Sequence, residues 1–443
     1  MPFFDPIRIG ASGAAADYTV DRSLRFNGAD APRLNRTPSS DGNRKTWTLS
    51  TWFKRGSIDR RMIFGTYTSG ADVSNIELQD DHKLAFYDFV SGYRILFQTN
   101  SLLRDPSAWY HLVIALDTTQ STESNRVKIY LNGSQITSFS ASTYPSQNLD
   151  VKINTGSLLH AIGTEGTNQR LHFDGYMAEF NFIDGFQYDP SYFAETDAIT
   201  GQWIPKKYVG SYGTNGFYLN FSDNSGTSAT TLGKDYSGNG NNFTPNNFSV
   251  SAGTGNDSLE DTPTNNFSTI NPLAGYSTTF EVPANGNLDF SLANSEFAFS
   301  TFEIPTSGKW YVEILFTTFA SGRCGITNLA TKNANKWHGI DHMGGAIRVD
   351  DSAVQSGLSP TIGNNKIVGI KVDRDAGTIA FTVDGSDSGT AVNISSMSSP
   401  ENLVFAVGRN SSSGSAPAGS INFGQRAFSH LPTDYKSLCS ANL

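Results

Sequence analysis

Acidic residues at the end of one predicted strand are the first group whose types and spacing could carry chemistry. Glu77 is followed by Asp80 and Asp81. Retaining glycoside hydrolysis uses two carboxylates held about 5 Å apart, one as nucleophile and one as general acid. One group of retaining glycosidases has the motif Glu-x-Asp-x-x-Glu, and in this sequence Gln79 stands where its assisting Asp would be. We therefore predict a polar hairpin rim, no catalytic residues and a protein that is not an enzyme.

Two groups of residues could hold a metal ion. His338 and His342 have the four-residue spacing of a helical metal pair, but Gly339 disfavours a helix, so we expect two ordinary loop histidines. Clustered carboxylate and amide oxygens suit Ca²⁺, and Asp80 and Asp81 are the first candidates. Further candidates by density are Asp72, Asp88, Asp235 and Asn239. Because polar loops produce such clusters without a metal, we predict neither a metal site nor another cofactor.

Aromatic side chains in polar surroundings could bind sugars. Sugar recognition needs an aromatic platform beside amide or carboxylate hydrogen-bond partners. The candidates at predicted loop rims are Tyr67, Tyr87, Tyr93, Trp337 and His338. The alternative for each is ordinary packing.

Charge and composition limit the classes of partner. A formal net charge of −9 disfavours a nucleic-acid groove, which needs a basic face. No stretch approaches the ~20 apolar residues of a membrane span, and the N-terminus lacks the charged and apolar regions of a secretory signal. The two cysteines, Cys324 and Cys439, are too few for a disulfide framework, so we expect reduced thiols.

The elements that must position these side chains are β-strands. Residues 109–117 form an apolar run rich in β-branched and aromatic side chains. Residues 127–131 alternate apolar and polar side chains, as a half-buried strand does. Asn132 and Gly133 tolerate positive φ and can close a tight hairpin.

The same pattern returns about one domain further along the chain. Residues 366–373 and 378–383 are predicted strands, and Asp384 and Gly385 close the second. At 443 residues the chain is long enough for two domains. Its 42 glycines, 12% aromatic and 16% charged residues indicate many turns and a weakly charged surface. We predict an all-β fold of two β-sandwich domains joined by a polar connector.

The first hairpin resembles the concanavalin A-like/laminin-G family, whose pattern is Trp-His-His-Val, a strand and a Tyr-Val-Asn-Gly turn. Trp109 and Asn132-Gly133 carry that likeness. Residues 175–182 are similar to its Gly-x-Ile-Asp-x-Phe/Val strand. The second hairpin is similar to the SPRY family, and residues 309–316 resemble its Gly-Lys-x-Tyr-(Trp/Phe)-Glu entry strand. These resemblances imply two concanavalin A-like (jelly-roll) sandwiches.

The predicted organisation has five segments. They are an anchoring arm at 1–20, a laminin-G/concanavalin A-like sandwich at 21–222, a Ser/Asn/Gly-rich connector at 223–275, a SPRY-like sandwich at 276–430 and a tail at 431–443. In the first sandwich we expect the strands around Leu24 and Leu219 to lie side by side, and a short helix at 191–200. The connector either docks single aromatic residues onto a domain or is a solvated linker.

The N-terminal segment and the connector carry a wider resemblance. Phe3, Phe4, Ile7 and Ile9 would be unfavourable on a free tail, so they indicate an arm that binds another subunit; a frayed terminus is the alternative. With residues 10–16, 24–27 and the Asp-x-Ser-Gly-Asn-Gly-Asn run at 235–241, the whole chain resembles marine phage virion proteins.

That resemblance implies a non-enzymatic structural or adhesion component of a phage virion, either a tail fibre or a capsid decoration. The implied partners are other virion proteins through the arm, host-surface glycans and further copies of the chain, for example in a trimer. The implied location is the virion, with synthesis in the host cytoplasm and release by lysis.

Two alternatives stay open. One is a secreted lectin-like carbohydrate-binding protein, or a glycoside hydrolase relative without the catalytic carboxylates. The other is an intracellular peptide-binding SPRY adaptor.

Overall fold

The structure is a computed structural model, and it describes residues 18–274, 283–292, 297–329, 339–409 and 415–443. These residues form β-strands and short 3₁₀ turns, with no α-helix among them. The chain divides into two compact units, Ala15–Thr264 and Asn265–Leu443. The prediction of an all-β chain with two β-sandwich domains is confirmed.

The first unit is built from two large antiparallel sheets and one two-stranded sheet. Its strands are β1 Ser23–Phe26, β2 Arg33–Arg36, β3 Thr46–Arg55, β4 Arg61–Ser69, β5 Asp72–Leu78, β6 Lys83–Val90, β7 Tyr93–Leu102, β8 Trp109–Asp117, β9 Val127–Leu131, β10 Ser134–Gln135, β11 Phe139–Thr143, β12 His160–Ile162, β13 Gly175–Asp184, β14 Ala194–Thr196, β15 Trp203–Pro205, β16 Phe217–Leu219, β17 Thr244–Asn246 and β18 Ser258–Leu259. Its 3₁₀ turns are Gly28–Asp30, Glu123–Asn125, Gly166–Asn168 and Pro190–Tyr192.

Sheet 1 has the order β10-β9-β8-β3-β13-β1-β18, with β16 also on β13, and sheet 2 has the order β11-β7-β6-β5-β4-β12-β2-β17. The two-stranded sheet is formed by β14 and β15. Alternate side chains of sheets 1 and 2 meet in one apolar core, as a sandwich requires. Its fully buried members include Leu49, Ile114 and Phe182 from sheet 1 and Ile76, Phe86 and Phe97 from sheet 2.

The predicted central hairpin is present in sheet 1. β8 pairs antiparallel with β9, and Ile114 lies opposite Ile129. Asn132 and Gly133 have φ values of 47° and 80°, which is the left-handed backbone that a tight two-residue turn needs.

β1 and β16, the strands around Leu24 and Leu219, do not lie side by side, contrary to the expectation from the sequence. β3 occupies one edge of β13 along its whole length. Since a strand has only two edges, β1 and β16 share the other: Leu24 lies opposite Met177, and Leu219 lies opposite Phe180. The two strands therefore follow each other end to end.

Residues 191–200 do not form the expected helix. Asp189 caps a single 3₁₀ turn that starts at Pro190. The chain then enters β14, whose residues pair with β15, and Asp197 accepts backbone N–H bonds that close the intervening turn. Pairing with a neighbouring strand thus overrides the local helical tendency.

The first unit extends beyond the expected boundary at residue 222, up to Thr264. β17 pairs with β2, and β18 pairs with β1. Phe243 is fully buried in the core, 4.6 Å from the Phe217 ring. The residues from 223 to 264 therefore complete both sheets, because single buried side chains fix a segment that is otherwise polar.

The second unit is also a two-sheet sandwich in its described residues. Its strands are β19 Asp289–Ser291, β20 Phe297–Phe299, β21 Lys309–Thr318, β22 Gly322–Asn328, β23 Gly339–Met343, β24 Ala346–Val349, β25 Ser352–Ser356, β26 Lys366–Asp373, β27 Thr378–Val383, β28 Ser386–Asp387, β29 Val392–Asn393, β30 Leu403–Arg409 and β31 Ala418–Asn422. Its described 3₁₀ turns are Ile394–Ser396 and Ser440–Asn442.

Sheet 3 has the order β19-β31-β21-β26-β27-β28, with β29 on β27, and sheet 4 has the order β20-β30-β22-β23-β24-β25. The second predicted hairpin is present, with β26 antiparallel to β27. Asp384 and Gly385 form the turn that connects β27 to β28.

The C-terminal segment packs on the second unit. Leu438 is fully buried, and the backbone of Cys439 forms an isolated antiparallel β-bridge with that of Phe267. Cys324 and Cys439 are both buried free thiols.

Candidate functional site

The outer face of sheet 2 is the candidate site. β4, β5, β6 and β7 form an antiparallel meander, so that neighbouring strands present alternate side chains away from the core. Three rows cross this face: Tyr67, Val73, Phe89 and Tyr93; Gly65, Asn75, Tyr87 and Leu96; and Met62, Glu77, Ala85 and Gln98. The first row is apolar and the other two contain buried polar groups.

The first row, with its neighbour Tyr87, supplies aromatic rings. The Tyr93 ring lies 5.0 Å from the Phe89 ring and 6.0 Å from the Tyr87 ring, both edge-to-face. Tyr67 and Phe89 pack around Val73 and Tyr87. Tyr93 is 53% exposed. We call Tyr67, Phe89 and Tyr93 the aromatic row; it offers a partly exposed platform on which a ring-shaped ligand could stack.

The polar part of the face is a connected network. Tyr87 accepts a 3.0 Å hydrogen bond from Asn75 Nδ2, and its hydroxyl donates to Glu77 Oε2 at 3.3 Å. Arg60 donates to both Glu77 oxygens at 2.8 and 3.0 Å. We call this network the polar cluster, and its members are Arg60, Asn75, Glu77, Gln79, Tyr87 and Gln98. Gln79 donates to Glu77, and Gln98 donates to Gln79.

Burial and charge oppose each other at Glu77. Burial raises the pKa of Glu77, while the charge and hydrogen bonds of Arg60 lower it. The Glu77 side chain is fully buried, whereas the Arg60 side chain is 39% exposed. Arg60 therefore covers the carboxylate and presents the charged edge of the pair to solvent.

The side-chain amide of Asn75 packs directly against Gly65 on the neighbouring strand. A Cβ atom at Gly65 would lie 2.2 Å from Asn75 Oδ1, so any larger residue would displace the amide. Asn75 Oδ1 is buried and accepts no hydrogen bond within the described part of the chain. The amide is thus positioned by Tyr87 and by the absence of a side chain at Gly65.

The structure brings together the three predicted sugar-binding tyrosines that it describes. Tyr67, Tyr87 and Tyr93 lie within β4, β6 and β7 of sheet 2 rather than on loop rims. Trp337 and His338 lie outside the described residues.

The polar cluster was missed by the sequence analysis. Its signal was present as period-two alternation, since Asn75 with Glu77 and Leu96 with Gln98 occupy one face of their strands. Glu77 was expected in a hairpin rim, but it lies in β5 and is fully buried.

Protein groups hold each of the side chains proposed as Ca²⁺ ligands through at least one hydrogen bond or ion pair. Asp80 accepts from the Arg60 backbone, and Asp81 forms a 2.7 Å ion pair with Lys83. The other candidates are held similarly: Asp72 by Lys152, Asp88 by Arg94, Asp235 by backbone N–H groups, and Asn239 through donation to Gly213. Within the described ranges, no three His, Cys, Asp or Glu side chains are grouped to hold a metal ion.

His342 does not lie in a loop. It is in β23 and fully buried, and its Nε2 lies 2.8 Å from Ser388 Oγ. The expectation of a loop was wrong, because the glycines around it begin and end a short strand.

The predicted anchoring residues, Phe3, Phe4, Ile7 and Ile9, lie outside the described residues. Among the residues that are described, no helix has the length and apolar character to cross a membrane.

Comparison with known proteins places the first unit in context. Residues 28–185 match a laminin-G family described as the concanavalin A-like lectin/glucanases superfamily. No curated protein sequence matches the chain.

Several solved structures are similar to parts of the chain. Mouse laminin alpha1 domains LG4-5 have 11% identity and a TM-score of 0.32, over 95% of this chain and 92% of that one. The SPRY domain of human HERC1 has 13% identity and a TM-score of 0.29, over 36% of this chain and 99% of that one. Domain 4 of an arabinanase from Geobacillus stearothermophilus, in complex with arabinotriose, has 17% identity and a TM-score of 0.29, over 42% of this chain and 82% of that one.

The candidate face, from β4 to β7, lies inside the matched range. Residues 28–185 of the first unit, which include this face, are therefore similar to the laminin-G, concanavalin A-like lectin/glucanases superfamily.

Proposed function

We propose that the chain is a lectin-like protein that binds carbohydrate on the outer face of sheet 2. The observation that carries this proposal is the adjacency of the aromatic row to the polar cluster on one open sheet face. The match of residues 28–185 to a lectin/glucanase superfamily gives independent support.

The two halves of the face suit the two sides of a sugar. A pyranose has an apolar C–H face, which can stack on Tyr93 or Phe89, and a rim of hydroxyl groups. Arg60 and Gln98 are partly exposed side chains that can donate to those hydroxyls, and amide oxygens can accept from them. Most hydrogen bonds of the network behind them are already formed within the protein, so the site needs little ordering on binding.

Binding rather than hydrolysis is the proposed activity. Asn75 Nδ2 also donates to Glu165 Oε1 at 3.3 Å, so Glu77 and Glu165 are two carboxylates near one amide. Each is paired with an arginine, Arg60 or Arg170. A carboxylate held in such an ion pair is poorly suited to donate a proton to a leaving group, as glycoside hydrolysis requires.

We propose a virion as the wider setting. The chain would be a structural or adhesion component, a tail fibre or capsid decoration that is anchored through Phe3, Phe4, Ile7 and Ile9. It would be made in a host cytoplasm and released by lysis. The support is the sequence resemblance of the N-terminal segment and of residues 235–241 to marine phage virion proteins. Cryo-electron microscopy of particles carrying the full chain or a deletion of residues 1–20 tests it: the density of the chain should disappear with the deletion.

A glycan array tests carbohydrate binding. Full-length protein should bind a defined set of glycans, and Tyr93→Ala should lower the affinity about tenfold, since stacking on an aromatic ring contributes about 1 kcal/mol or more. Tyr192→Ala is the matched control. Tyr192 is 45% exposed, but it belongs to the segment between β13 and β14.

The outcomes separate the alternatives. Equal losses from Tyr93→Ala and Tyr192→Ala would contradict a site on sheet 2. Release of reducing sugar from a bound glycan, abolished by Glu77→Gln, would identify a hydrolase instead.

A further inference from the structure

A second cavity lies on the outer face of sheet 1 and does not share residues with the candidate glycan face. Its volume is ≈ 250 Å³, the space of about eight water molecules. Five tyrosines line it: Tyr18, Tyr208, Tyr212, Tyr218 and Tyr236. Glu179 lines it as well, and this carboxyl is the group on which the inference depends.

A β-bulge directs Glu179 into this cavity. The pairing of β13 with β3 slips between Ala178 and Asn181, and Glu179 has a φ of 51°. A bulge inserts one residue into a strand and reorients its side chain. Glu179 is consequently 5% exposed and points away from the apolar core, towards the tyrosines.

The hydrogen bonds of Glu179 come from neutral groups. Tyr18 donates to Oε2 at 2.7 Å, and the Tyr218 hydroxyl lies 2.8 Å from both carboxylate oxygens. Three other buried acids of the same unit have cationic partners: Glu77 has Arg60, Asp257 has Arg25 and Asp261 has Lys54. In the described residues no lysine or arginine forms an ion pair with Glu179.

The tyrosine hydroxyls around the cavity are already committed to protein partners. Tyr208 donates to the Ser211 carbonyl, Tyr212 donates to Asn181, and Tyr236 accepts from Ser222. What remains available is ring surface, whose face carries negative electrostatic potential. One ring already takes a cation, since Lys234 Nζ lies 4.9 Å from the Tyr236 ring centre.

We propose that this cavity binds a small organic cation, a substituted ammonium group, between the tyrosine rings and the Glu179 carboxylate. The rings supply cation–π contacts, and Glu179 supplies the missing opposite charge. A neutral sugar fits less well, because most of the hydroxyls that would recognise it bond to the protein.

The rim contributes two opposite charges. Asp21 and Lys207 both line the cavity. Asp21 adds to the attraction for a cation, and Lys207 opposes it. Removal of the lysine charge should therefore tighten binding of a simple cation.

Binding of the cation should depend on pH. The pKa of Glu179 is raised to about 7, chiefly by burial; hydrogen bonds from Tyr18 and Tyr218 lower it, Asp21 raises it and Lys207 lowers it. A cation binds the ionised carboxylate, so its affinity should rise about tenfold from pH 6 to pH 8. The titratable groups facing Glu179 are Tyr18 and Asp21 before β1, Lys207, Tyr208 and Tyr212 between β15 and β16, Tyr218 in β16 and Tyr236 after it.

Calorimetric titration of the full chain with choline tests the proposal. The neutral isostere 3,3-dimethylbutan-1-ol is the ligand control. We expect choline to bind and the isostere to bind at least about tenfold more weakly. Glu179→Gln should weaken choline binding about tenfold or more and remove its pH dependence, whereas Lys207→Met should strengthen it. Glu195→Gln, an exposed glutamate at 52%, is the matched control variant and should change nothing.

Several results would overturn the proposal. One is equal affinity of the protein for choline and for its isostere. Another is a neutral monosaccharide that competes with choline for the cavity and binds Glu179→Gln more weakly than the wild type. Failure of choline to bind the wild type would have the same consequence. If Glu179→Gln fails to fold, unchanged affinity in Lys207→Met would count against the site. None of these results bears on the glycan face, which is tested by Tyr93→Ala.

Discussion

Glu179, His111 and His160 are buried ionisable side chains whose hydrogen-bond partners are all neutral. Trp203 donates to His111 Nδ1 at 3.0 Å, and the Asn154 backbone donates to His160 Nε2 at 2.9 Å. Both histidines must therefore be neutral, and burial lowers the pKa of His111 to about 3 and of His160 to about 4. The stability they contribute is present above the ordinary pKa of 6.5 and is lost as the pH falls towards these values.

Glu179 should have the opposite effect on stability. Its pKa rises from 4.5 to about 7 on burial, so the folded state holds a proton that the unfolded state releases between these values. The free energy of unfolding should fall by about 3 kcal/mol as the pH rises from 4.5 to 7. Chemical unfolding at several pH values, wild type minus Glu179→Gln, isolates this group from the histidines. If the difference in free energy of unfolding between the wild type and Glu179→Gln does not vary with pH, the proposed effect of Glu179 on stability is contradicted.

At the scale of elements, buried ion pairs fix the polar segment after β16 to the first unit. Lys54 Nζ and Asp261 Oδ2 are 2.9 Å apart, and both side chains are fully buried. Arg25 pairs with Asp257 at 3.0 Å. Burial lowers the pKa of Lys54, and the charge of Asp261 opposes that change. Each pair links a strand of sheet 1 to residues flanking β18.

Removing one partner of the buried pair should be costly. Asp261→Asn leaves Lys54 without its counter-charge and should lower the free energy of unfolding of the first unit by about 3–5 kcal/mol. The double variant K54M/D261N should recover most of this loss. Glu195→Gln breaks an exposed pair with Lys206 and should cost less than about 1 kcal/mol. Guanidinium chloride unfolding gives these values; similar losses for Asp261→Asn and Glu195→Gln would disprove the role of the pair.

The same elements show what the sequence could predict. Residues 127–131 and 378–383 alternate strictly, so their strands and turns were predicted from local pattern alone. Tyr67, Tyr87 and Tyr93 could be named because they are aromatic residues in polar surroundings. The segment from 223 to 264 has no such pattern: single anchors such as Phe243 and Asp261 fix it, and Lys54, the partner of Asp261, is 207 residues away in the sequence. The polar cluster and the Glu179 cavity depend on strand register and on a bulge, which no local pattern reveals.

At the scale of the whole molecule, the chain contains two compact units, and each of them is a β-sandwich. The first ends at Thr264 rather than near residue 222, and the second begins at Asn265. A first unit that ended at residue 222 would lack β17, β18 and the core residue Phe243. It would also lack Asp257 and Asp261, the acidic partners of the two buried ion pairs.

Truncation tests this boundary. A fragment ending at residue 264 should unfold cooperatively with a dispersed NMR spectrum. A fragment ending at residue 222 should be largely unfolded, because it leaves Arg25 and Lys54 without their acids and exposes the sheet edges of β1 and β2. Equal stability of the two fragments would place the boundary at 222 after all.

The measurement that tests the central claim most directly is a crystal structure of the full chain with the oligosaccharide that binds best on the array. We predict sugar density on the outer face of sheet 2, with a ring stacked on Tyr93 or Phe89 and hydroxyl groups bonded to Arg60 or Gln98. Density elsewhere, with this face free of ligand, would contradict the account.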